Sequence, residues 1–252
     1  MTASFVFPAS GENADSASTI EPRVNALDWQ TVESDLDAQG SAVLPGLLTA
    51  PTCRALAGLY PEETIFRSRV VMGRHGYGRG EYKYFSYPLP ELVQGLRENL
   101  YPRLVTVANR WNAEMKLDVQ YPEQHGQFLE RCHAAGQTRP TPLLLHYGPG
   151  DYNCLHQDLY GEHVFPLQVA ILLSEPGKDF TGGEFVLTEQ RPRMQSRPEV
   201  VPLRQGDAVV FAVHQRPVAG TRGWYRVALR HGVSRLRSGE RYTAGIIFHD
   251  AA

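Results

Sequence analysis

The sequence predicts a mainly β protein, in which a jelly-roll core follows an N-terminal helical buttress in an α+β arrangement. From Leu143 onward, short segments of alternating apolar residues are separated by turns, whereas the preceding segments have helical spacing. No helices are indicated between the predicted strands, as a doubly wound nucleotide-binding fold would require. We expect one compact domain with a flexible tail over 1–25, a helical support region over 26–142 and the jelly-roll core over 143–252.

Helix signals dominate the support region. Asp28 is expected to cap a helix that ends at Gly40, and Thr49 or Pro51 to begin a second helix that ends at Pro61. The region should also contain a short strand over 41–44, a long helix over 89–115 that Pro102 kinks or splits, and a short helix over 123–135.

The core region is predicted to contain strands over 143–147, 165–173, 184–188, 199–203, 208–213, 224–229 and 242–249. Gly182-Gly183, Gly206-Asp207 and Ser238-Gly239 are expected to form turns. The segment QRPVAGTRG, after His214, is interpreted as a loop.

Composition limits the function classes. The chain has 252 residues, 42% of them hydrophobic, and a formal net charge of −2, so a nucleic-acid contact would depend on a local basic patch. Cys53, Cys132 and Cys154 show no paired spacing, which favours a reducing compartment and gives no zinc signature; we expect Cys154 to be packed. The first twenty residues lack signal-peptide features and no window is typical of a membrane helix, so a cytoplasmic protein is expected.

The segment over 143–159, LLLHYGPGDYNCLHQDL, carries the main candidate site. His156 and Asp158 are two residues apart, so an extended chain places them on one side, where both can reach one metal ion. A second histidine would complete a facial set of two histidines and a carboxylate, typical of Fe(II) sites with open positions. His214, His231 and His249 are candidates, and His231 is preferred because it follows an alternating strand pattern.

Arg241 strengthens that preference, since it stands at the head of the strand after His231. A strand arginine that faces a barrel interior requires an anionic partner. A dicarboxylic acid could chelate the metal at one end and pair with Arg241 at the other.

A basic and aromatic segment over 66–87 is the second candidate site. It reads FRSRVVMGRHGYGRGEYKYFSY, with five cations against one acid and six aromatic residues among them. Such a segment can neutralise phosphates, stack on bases and move as a lid. It can equally be a twisted hairpin with packed tyrosines and solvated arginines, and both interpretations remain open.

Residues across the core resemble the ordered signature of iron(II)- and 2-oxoglutarate-dependent dioxygenases of the prolyl-hydroxylase-like branch: Tyr147, Gly150, Tyr152, His156, Asp158, Gly182-Gly183-Glu184, Gly206-Asp207, Phe211, His231 and Arg241. The runs GDYNCLHQDLYGEHVFPLQVAILLSEPG and TGGEFVLTEQRPRMQSR resemble more closely a bacterial family of 2-oxoglutarate and Fe(II) oxygenases of damaged nucleic acid. The likeness extends upstream to about Ala26.

This resemblance implies a double-stranded β-helix in which His156, Asp158 and His231 bind a catalytic Fe(II). It implies that 2-oxoglutarate binds Arg241 and Tyr147 and that O2 is consumed, and ascorbate is a possible reductant. Hydroxylation of a substrate C–H bond would release succinate and CO2.

The substrate implied by the family is an alkylated base in damaged or single-stranded nucleic acid, repaired by oxidative demethylation. Its expected contacts are Arg74, Tyr77, Arg79 and Tyr82. Hydroxylation of a peptide or of a free amino acid, as by prolyl hydroxylases, is the alternative. A non-enzymatic, cupin-like metal-binding protein is a third possibility, although it would not need Arg241.

Overall fold

The computed structural model describes residues 17–159 and 161–252. Its helices are α1 (Ala17–Asn25), α2 (Trp29–Gln39), α3 (Ala50–Ala57), α4 (Glu91–Glu114) and α5 (His125–Ala134). The predicted caps are confirmed: Asp28 accepts a hydrogen bond from Thr31 N at the start of α2, and Thr49 accepts one from Thr52 N at the start of α3. Gly40 ends α2 with a φ of 80°, a conformation that favours glycine.

Pro102 was expected to kink or split the long helix; it does not split α4, which is one helix of 24 residues. The expected tail is helical over residues 17–25, because Ile20 and Val24 lie four residues apart on one face and are buried where α1 packs against α4. The rest of the expected tail, residues 1–16, lies outside the described residues.

The strands of the described residues are β1 (Ser41–Leu44), β2 (Phe66–Val71), β3 (Gly78–Arg79), β4 (Glu81–Phe85), β5 (Leu143–Tyr147), β6 (Tyr152–His156), β7 (Leu167–Leu172), β8 (Phe180–Gly182), β9 (Phe185–Gln190), β10 (Arg197–Val201), β11 (Ala208–Ala212), β12 (Gln215–Gly220), β13 (Gly223–Val233), β14 (Leu236–Gly239) and β15 (Arg241–Ile246). A larger antiparallel sheet has the order β1-β11-β7-β15-β5-β4-β2. A smaller one has the order β10-β9-β13-β6-β3, with β12 also paired to β13. The predicted jelly roll is confirmed.

The support region contributes strands as well as helices. β1 pairs with β11 at one edge of the larger sheet, and β4 pairs with β5 near the other. Of the segments interpreted as loops or turns, QRPVAG forms β12, and Ser238-Gly239 lies in β14, which pairs with β8. Pro217 is compatible with β12 because this strand lies at a sheet edge, where a missing N–H leaves the ladder intact.

Alternation along β7 separates the hydrophobic core from the site. Leu167, Val169 and Ile171 belong to the main buried cluster, which also contains the apolar face of α4. Gln168 and Ala170, between them, line a cavity on the opposite face of the sheet. The helices therefore cover one face of the larger sheet, and the other face is left for the site.

A buried ion pair joins α4 to the last described segment of the chain. Arg97 Nη2 lies 2.7 Å from Asp250 Oδ1, and both side chains are fully buried. Arg97 also donates to the carbonyls of Ile247 (2.7 Å) and His249 (3.1 Å). These bonds hold the segment that follows β15 against the helical layer.

Candidate active site

The fold brings His156, Asp158 and His231 together. His156 ends β6, Asp158 follows two residues later, and His231 lies in β13 directly opposite His156. Asp158 Oδ1 is 3.4 Å from His156 Nε2, and Asp158 Oδ2 is 3.4 Å from His231 Nε2. The potential ligand atoms of all three residues lie within 4.8 Å of one another. Two imidazole nitrogens and a carboxylate on one side of a cavity suit Fe(II) with open coordination positions.

A bulge in β6 directs His156 toward this cluster. His231 is opposite His156, and Val233 is opposite Asn153. The two strands differ in length between these pairs, because β13 spans two residue steps and β6 spans three, so β6 contains one extra residue. In a regular strand, Asn153 and His156 would point to opposite faces because their spacing is odd. With the bulge, both side chains line the cavity. Alternation counted from the sequence could not reveal this feature.

The hydrogen bond of His156 fixes its tautomer. Its Nδ1 is 2.8 Å from the carbonyl oxygen of Cys154, and a carbonyl only accepts, so Nδ1 carries the hydrogen. In the neutral imidazole the lone pair is then on Nε2, where a metal would bind, as is usual for metal-binding histidines. Cys154 contributes its backbone carbonyl, and its side chain is exposed. The expectation that Cys154 is packed was wrong, because the bulge places the residue at the surface.

The electrostatics of the cluster keep Asp158 ionised and His231 neutral. Burial would lower the pKa of His156, but the neighbouring Asp158 outweighs burial and raises it. Burial alone would raise the pKa of Asp158, but its contacts with His156 and His231 outweigh burial and hold that pKa well below its usual range. Burial lowers the pKa of His231 against the opposing effect of Asp158. At neutral pH the carboxylate is therefore ionised and His231 is neutral.

Arg241 is a buried cation that forms no ion pair within 4.0 Å among the described residues, although the charge of Glu184 acts on it from farther away. It begins β15 and is 1% exposed. Burial lowers the pKa of Arg241 to about 10, so it remains charged at neutral pH. Its Nη1 donates to Thr243 Oγ1 at 2.6 Å, but among the described residues its Nε has no hydrogen-bond partner and no acidic side chain lies within 4.0 Å. A buried guanidinium of this kind fits a carboxylate ligand.

Tyr147 stands directly opposite Arg241 across the β5–β15 pairing, and both line the cavity. The guanidinium carbon lies 5.7 Å from the ring centroid of Tyr147. Burial raises the pKa of Tyr147 far above its ordinary value, so its hydroxyl keeps its proton and can donate to an anion. Arg241, Tyr147 and Thr243 thus form the cationic end of the cavity.

The cavity between the sheets joins this cationic end to the His–Asp–His cluster. Its volume is about 230 Å³, near the lower limit of about 300 Å³ for typical ligand pockets. In the β7–β15 pairing Gly245 is opposite Ala170, so Gln168 comes opposite Ile247. Ile247 is six residues after Arg241, which separates the Gln168 end of the cavity from the Arg241 end by roughly 20 Å along the strand. Side chains that reach inward from both ends leave room for an elongated diacid.

The other two candidate histidines are not in the cluster. His214 precedes β12, and its carbonyl accepts hydrogen bonds from the Gln157 amide (3.3 Å) and from Leu229 N (2.8 Å). His249 is fully buried, and its Nδ1 accepts a hydrogen bond from Phe165 N (3.2 Å). The described residues contain one group able to hold a metal ion in this way, the group that includes His231.

The basic and aromatic segment forms part of both sheets. β2 and β4 extend the larger sheet, whereas β3 pairs with β6 in the smaller one, so the segment closes one end of the cavity. Tyr77, Tyr82 and Tyr84 line the cavity. Arg79 pairs with Tyr152, and Gly78 with Asn153, which faces the cavity; Arg79 therefore lies on the outer face of β3.

Arg74 and Arg79 are exposed and do not line the cavity. Arg79 Nε is 3.7 Å from Asp151 Oδ1. Of the four expected substrate contacts, Tyr77 and Tyr82 are therefore at the cavity and the two arginines are outside it. The sequence left open whether Asn153 and Gln168 point into the pocket, and it did not single out Tyr84, although alternation along β4 was a usable signal for that residue.

Comparison with known proteins agrees with this fold. A protein family described as "Oxygenase, catalysing oxidative methylation of damaged DNA" matches residues 80–251. Proteins from two strains of Mycobacterium tuberculosis, both described as uncharacterized, are 51% identical over 195 residues, which cover 75% of this chain and 84% of each relative.

Three solved structures share the fold. A prolyl-4-hydroxylase from Pseudomonas putida has a TM-score of 0.51 and 16% identity, with 89% of this chain and 99% of that chain covered. A 2-oxoglutarate and Fe(II) oxygenase from Burkholderia pseudomallei has a TM-score of 0.50 and 18% identity, with 90% and 94% covered. A prolyl hydroxylase from Trichoplax adhaerens, in complex with a peptide fragment of hypoxia inducible factor, has a TM-score of 0.51 and 14% identity, with 92% of both chains covered.

The chain thus has the double-stranded β-helix fold of the solved 2-oxoglutarate and Fe(II) oxygenases, and its His–Asp–His cluster lies in the cavity of that fold. The chain belongs to the oxygenase family whose description names damaged DNA. None of the helices in the described part of the chain has the length and apolar character needed to cross a membrane.

Proposed function

We propose that this oxygenase hydroxylates the alkyl carbon of an N-alkylated base in single-stranded nucleic acid. His156, Asp158 and His231 would hold Fe(II), while Arg241 and Tyr147 would bind the distal carboxylate of 2-oxoglutarate. The observation that carries the proposal is the buried guanidinium of Arg241 in the same cavity as a His–Asp–His cluster. That pairing requires a ligand with a chelating end and an anionic end.

Bound iron would activate O2 while 2-oxoglutarate is oxidised to succinate and CO2. Hydroxylation of an N–CH3 carbon gives N–CH2OH, which breaks its N–C bond to yield N–H and formaldehyde. The chain supplies orientation: the His156 tautomer, the ionised Asp158 and the Arg241 charge are all set before the ligands bind. The apolar lining of the cavity keeps water away from the reacting carbon.

The aromatic side chains that line the cavity are evidence for a planar substrate. The rings of Tyr82 and Tyr84 meet edge to face with centroids 5.3 Å apart, and both line the cavity. Tyr77 is 49% exposed and stacks on His75, with centroids 5.3 Å apart and planes inclined by 22°. Aromatic faces thus continue from the cavity to the surface, as needed to stack a base that has left its strand.

Cations at the surface near the cavity are evidence for binding of a nucleic-acid strand. Arg74 and Arg79 lie outside the cavity on the segment that carries Tyr77, where they could contact backbone phosphates while the base enters. Such contacts compensate for a chain whose net charge of −2 gives no general attraction to polyanions.

Product analysis tests the proposal. The Fe(II)-loaded protein with 2-oxoglutarate should release formaldehyde from single-stranded oligonucleotides that contain N-methylated bases. Unmethylated oligonucleotides and the His231→Ala variant should give only background. A mass increase of 16 on peptides or amino acids, without formaldehyde from any methylated oligonucleotide, would instead favour the prolyl-type alternative, which the fold similarity supports.

Salt dependence tests the surface cations separately. Removal of one cation that binds a phosphate should reduce the slope of log K against log salt by about 1, so Arg74→Gln and Arg79→Gln should each weaken and flatten oligonucleotide binding. Arg222→Gln, an exposed arginine in the β12–β13 turn, is the matched control. Equal behaviour of all three variants would exclude the segment as a phosphate-binding surface.

A further inference from the structure

Gln168 is the polar side chain that β7 directs toward the candidate metal cluster. It lies between Leu167 and Val169, which face the helical layer, and it is 3% exposed. Its Nε2 is 2.9 Å from Asp158 Oδ2. Because a carboxylate oxygen only accepts, the amide group of Gln168 is the donor.

We infer that Gln168 is a positioning residue for the metal centre, which sets the orientation of the Asp158 carboxylate through this hydrogen bond. The inference rests on the proposed function, since it takes Asp158 as a metal ligand. Gln168 directs its amide nitrogen at Asp158, and this nitrogen has no lone pair available for coordination, so the contact positions the ligand.

The position of Asp158 explains why it needs such a partner. β6 ends at His156, so Asp158 lies in irregular chain beyond the strand, where strand pairing does not restrain its side chain. β7, by contrast, is held on both sides by β11 and β15, and Gln168 is directly opposite Phe211. A donor on a central strand therefore fixes a ligand that follows the end of a strand.

The hydrogen bond from Gln168 is made to Oδ2 of Asp158, and this choice of oxygen affects the orientation of the carboxylate. Asp158 Oδ2 faces both Gln168 Nε2 (2.9 Å) and His231 Nε2 (3.4 Å), whereas Oδ1 faces His156 Nε2 (3.4 Å). A hydrogen bond to Oδ2 sets the carboxylate plane, so that the rotational freedom of Asp158 is already restricted before a metal binds. Loss of hydrogen-bonded partners of ligands typically weakens metal binding by about 10–100-fold.

Gln168→Met is the informative variant, because methionine keeps the length and the neutral charge of the side chain but has no N–H donor. Gln205→Met is the matched control: Gln205 Nε2 donates to the carbonyl of Leu173 at 2.8 Å, next to β7, and does not line the cavity. If Gln168→Met does not fold, Gln168→Asn retains the amide on a shorter side chain and allows the same comparison.

The experiment is a titration of the metal-free protein with Mn(II), followed by absorption spectroscopy with Co(II), combined with urea unfolding of each metal-free protein. We expect Gln168→Met to raise the Mn(II) Kd by about 10–100-fold and to alter the Co(II) spectrum. We expect Gln205→Met to leave both unchanged, and the urea midpoint to move no more for Gln168→Met than for this control.

The outcomes separate the positioning role from the proposed function. Wild-type Mn(II) affinity in Gln168→Met, or an equal loss of affinity in both variants, would overturn the role of Gln168 and leave the metal centre in place. A wild-type protein that binds neither Mn(II) nor Co(II) would overturn the metal centre itself, and the inference with it.

Discussion

Replacement of Arg241 by methionine should stabilise the protein without its ligands and abolish its response to 2-oxoglutarate. Burial lowers the pKa of Arg241 from 12.5 to about 10, which corresponds to about 3 kcal/mol against the charged folded form. Arginine is charged at pH 7 in both the folded and the unfolded state, so this cost is present at neutral pH. Removal of the charge relieves it, whereas loss of the Thr243 hydrogen bond costs about 1 kcal/mol.

We therefore expect Arg241→Met to raise the free energy of unfolding of the metal-free protein by about 1–2 kcal/mol. The assay is urea unfolding of the metal-free and Mn(II)-loaded proteins, with and without 2-oxoglutarate. In the loaded wild-type protein, 2-oxoglutarate at 100 times its Kd should add about 2.7 kcal/mol. In the variant this increment should disappear.

Arg237→Met is the control, because Arg237 is an exposed arginine of β14 in the same part of the chain. It should change neither the unfolding free energy nor the response to 2-oxoglutarate appreciably. A destabilised Arg241→Met protein that still gains the full increment would refute the assignment of Arg241 as the carboxylate partner.

Three further predictions concern the residues around the site. Burial lowers the pKa of His249 to about 4, so below pH 6.5 the unfolded chain gains a proton that the folded protein lacks. The free energy of unfolding should therefore fall by up to about 1.4 kcal/mol per pH unit from pH 6.5 to 4. Urea unfolding at a series of pH values should show a smaller pH dependence for His249→Asn. Asp250→Asn should lower the free energy of unfolding by about 3–5 kcal/mol, measured by urea unfolding, because it removes the charge that pairs with buried Arg97. Gly183→Ala should raise the KM for 2-oxoglutarate in succinate assays, with little change in the KM for the proposed nucleic-acid substrate. A Cβ there would lie 2.6 Å from Leu236 Cδ1 and 3.1 Å from the side chain of Arg241, at a φ of +65°.

Local patterns in the sequence predicted much of the fold because their causes are local. A cap residue such as Asp28 acts within one helical turn, and alternation along β7 follows from the geometry of a single strand. The mistakes were made where a partner distant in sequence decides the structure. Pro217 is accepted in β12 because the strand lies at an edge, and the sequence alone does not reveal which strands form edges.

For the candidate site too, features set by local spacing were visible in the sequence, whereas features set by distant pairing were not. The spacing of His156 and Asp158 was visible, and the structure brings His231 to them. The bulge in β6 was not visible, because it depends on how many residues of β6 oppose two residues of β13. The bond from Gln168 to Asp158 was equally hidden, since it joins a central strand to a loop through the fold rather than through a motif.

The fully buried arginines of the described chain show how a structural arginine differs from one that requires a ligand. Arg97 is paired with Asp250 and donates to two backbone carbonyls. Arg216 is paired with Glu189 and donates to the carbonyls of Asp37 (2.8 Å) and Ala38 (3.0 Å) at the end of α2. In both cases, buried charge is balanced by a carboxylate and the remaining N–H groups find acceptors, as stable burial of an ion requires.

Arg241 is buried to the same degree, yet among the described residues its hydrogen-bond partner is the neutral hydroxyl of Thr243. Packing alone does not explain why a charged side chain without an anionic hydrogen-bond partner is buried at this position, because a methionine or leucine would fill the space without desolvating a charge. The cost is understandable if an anion completes the site during the working cycle of the enzyme. The same reasoning ranks Arg241 above the many other arginines of the chain: a buried cation whose partner is missing marks the place where a ligand of opposite charge binds.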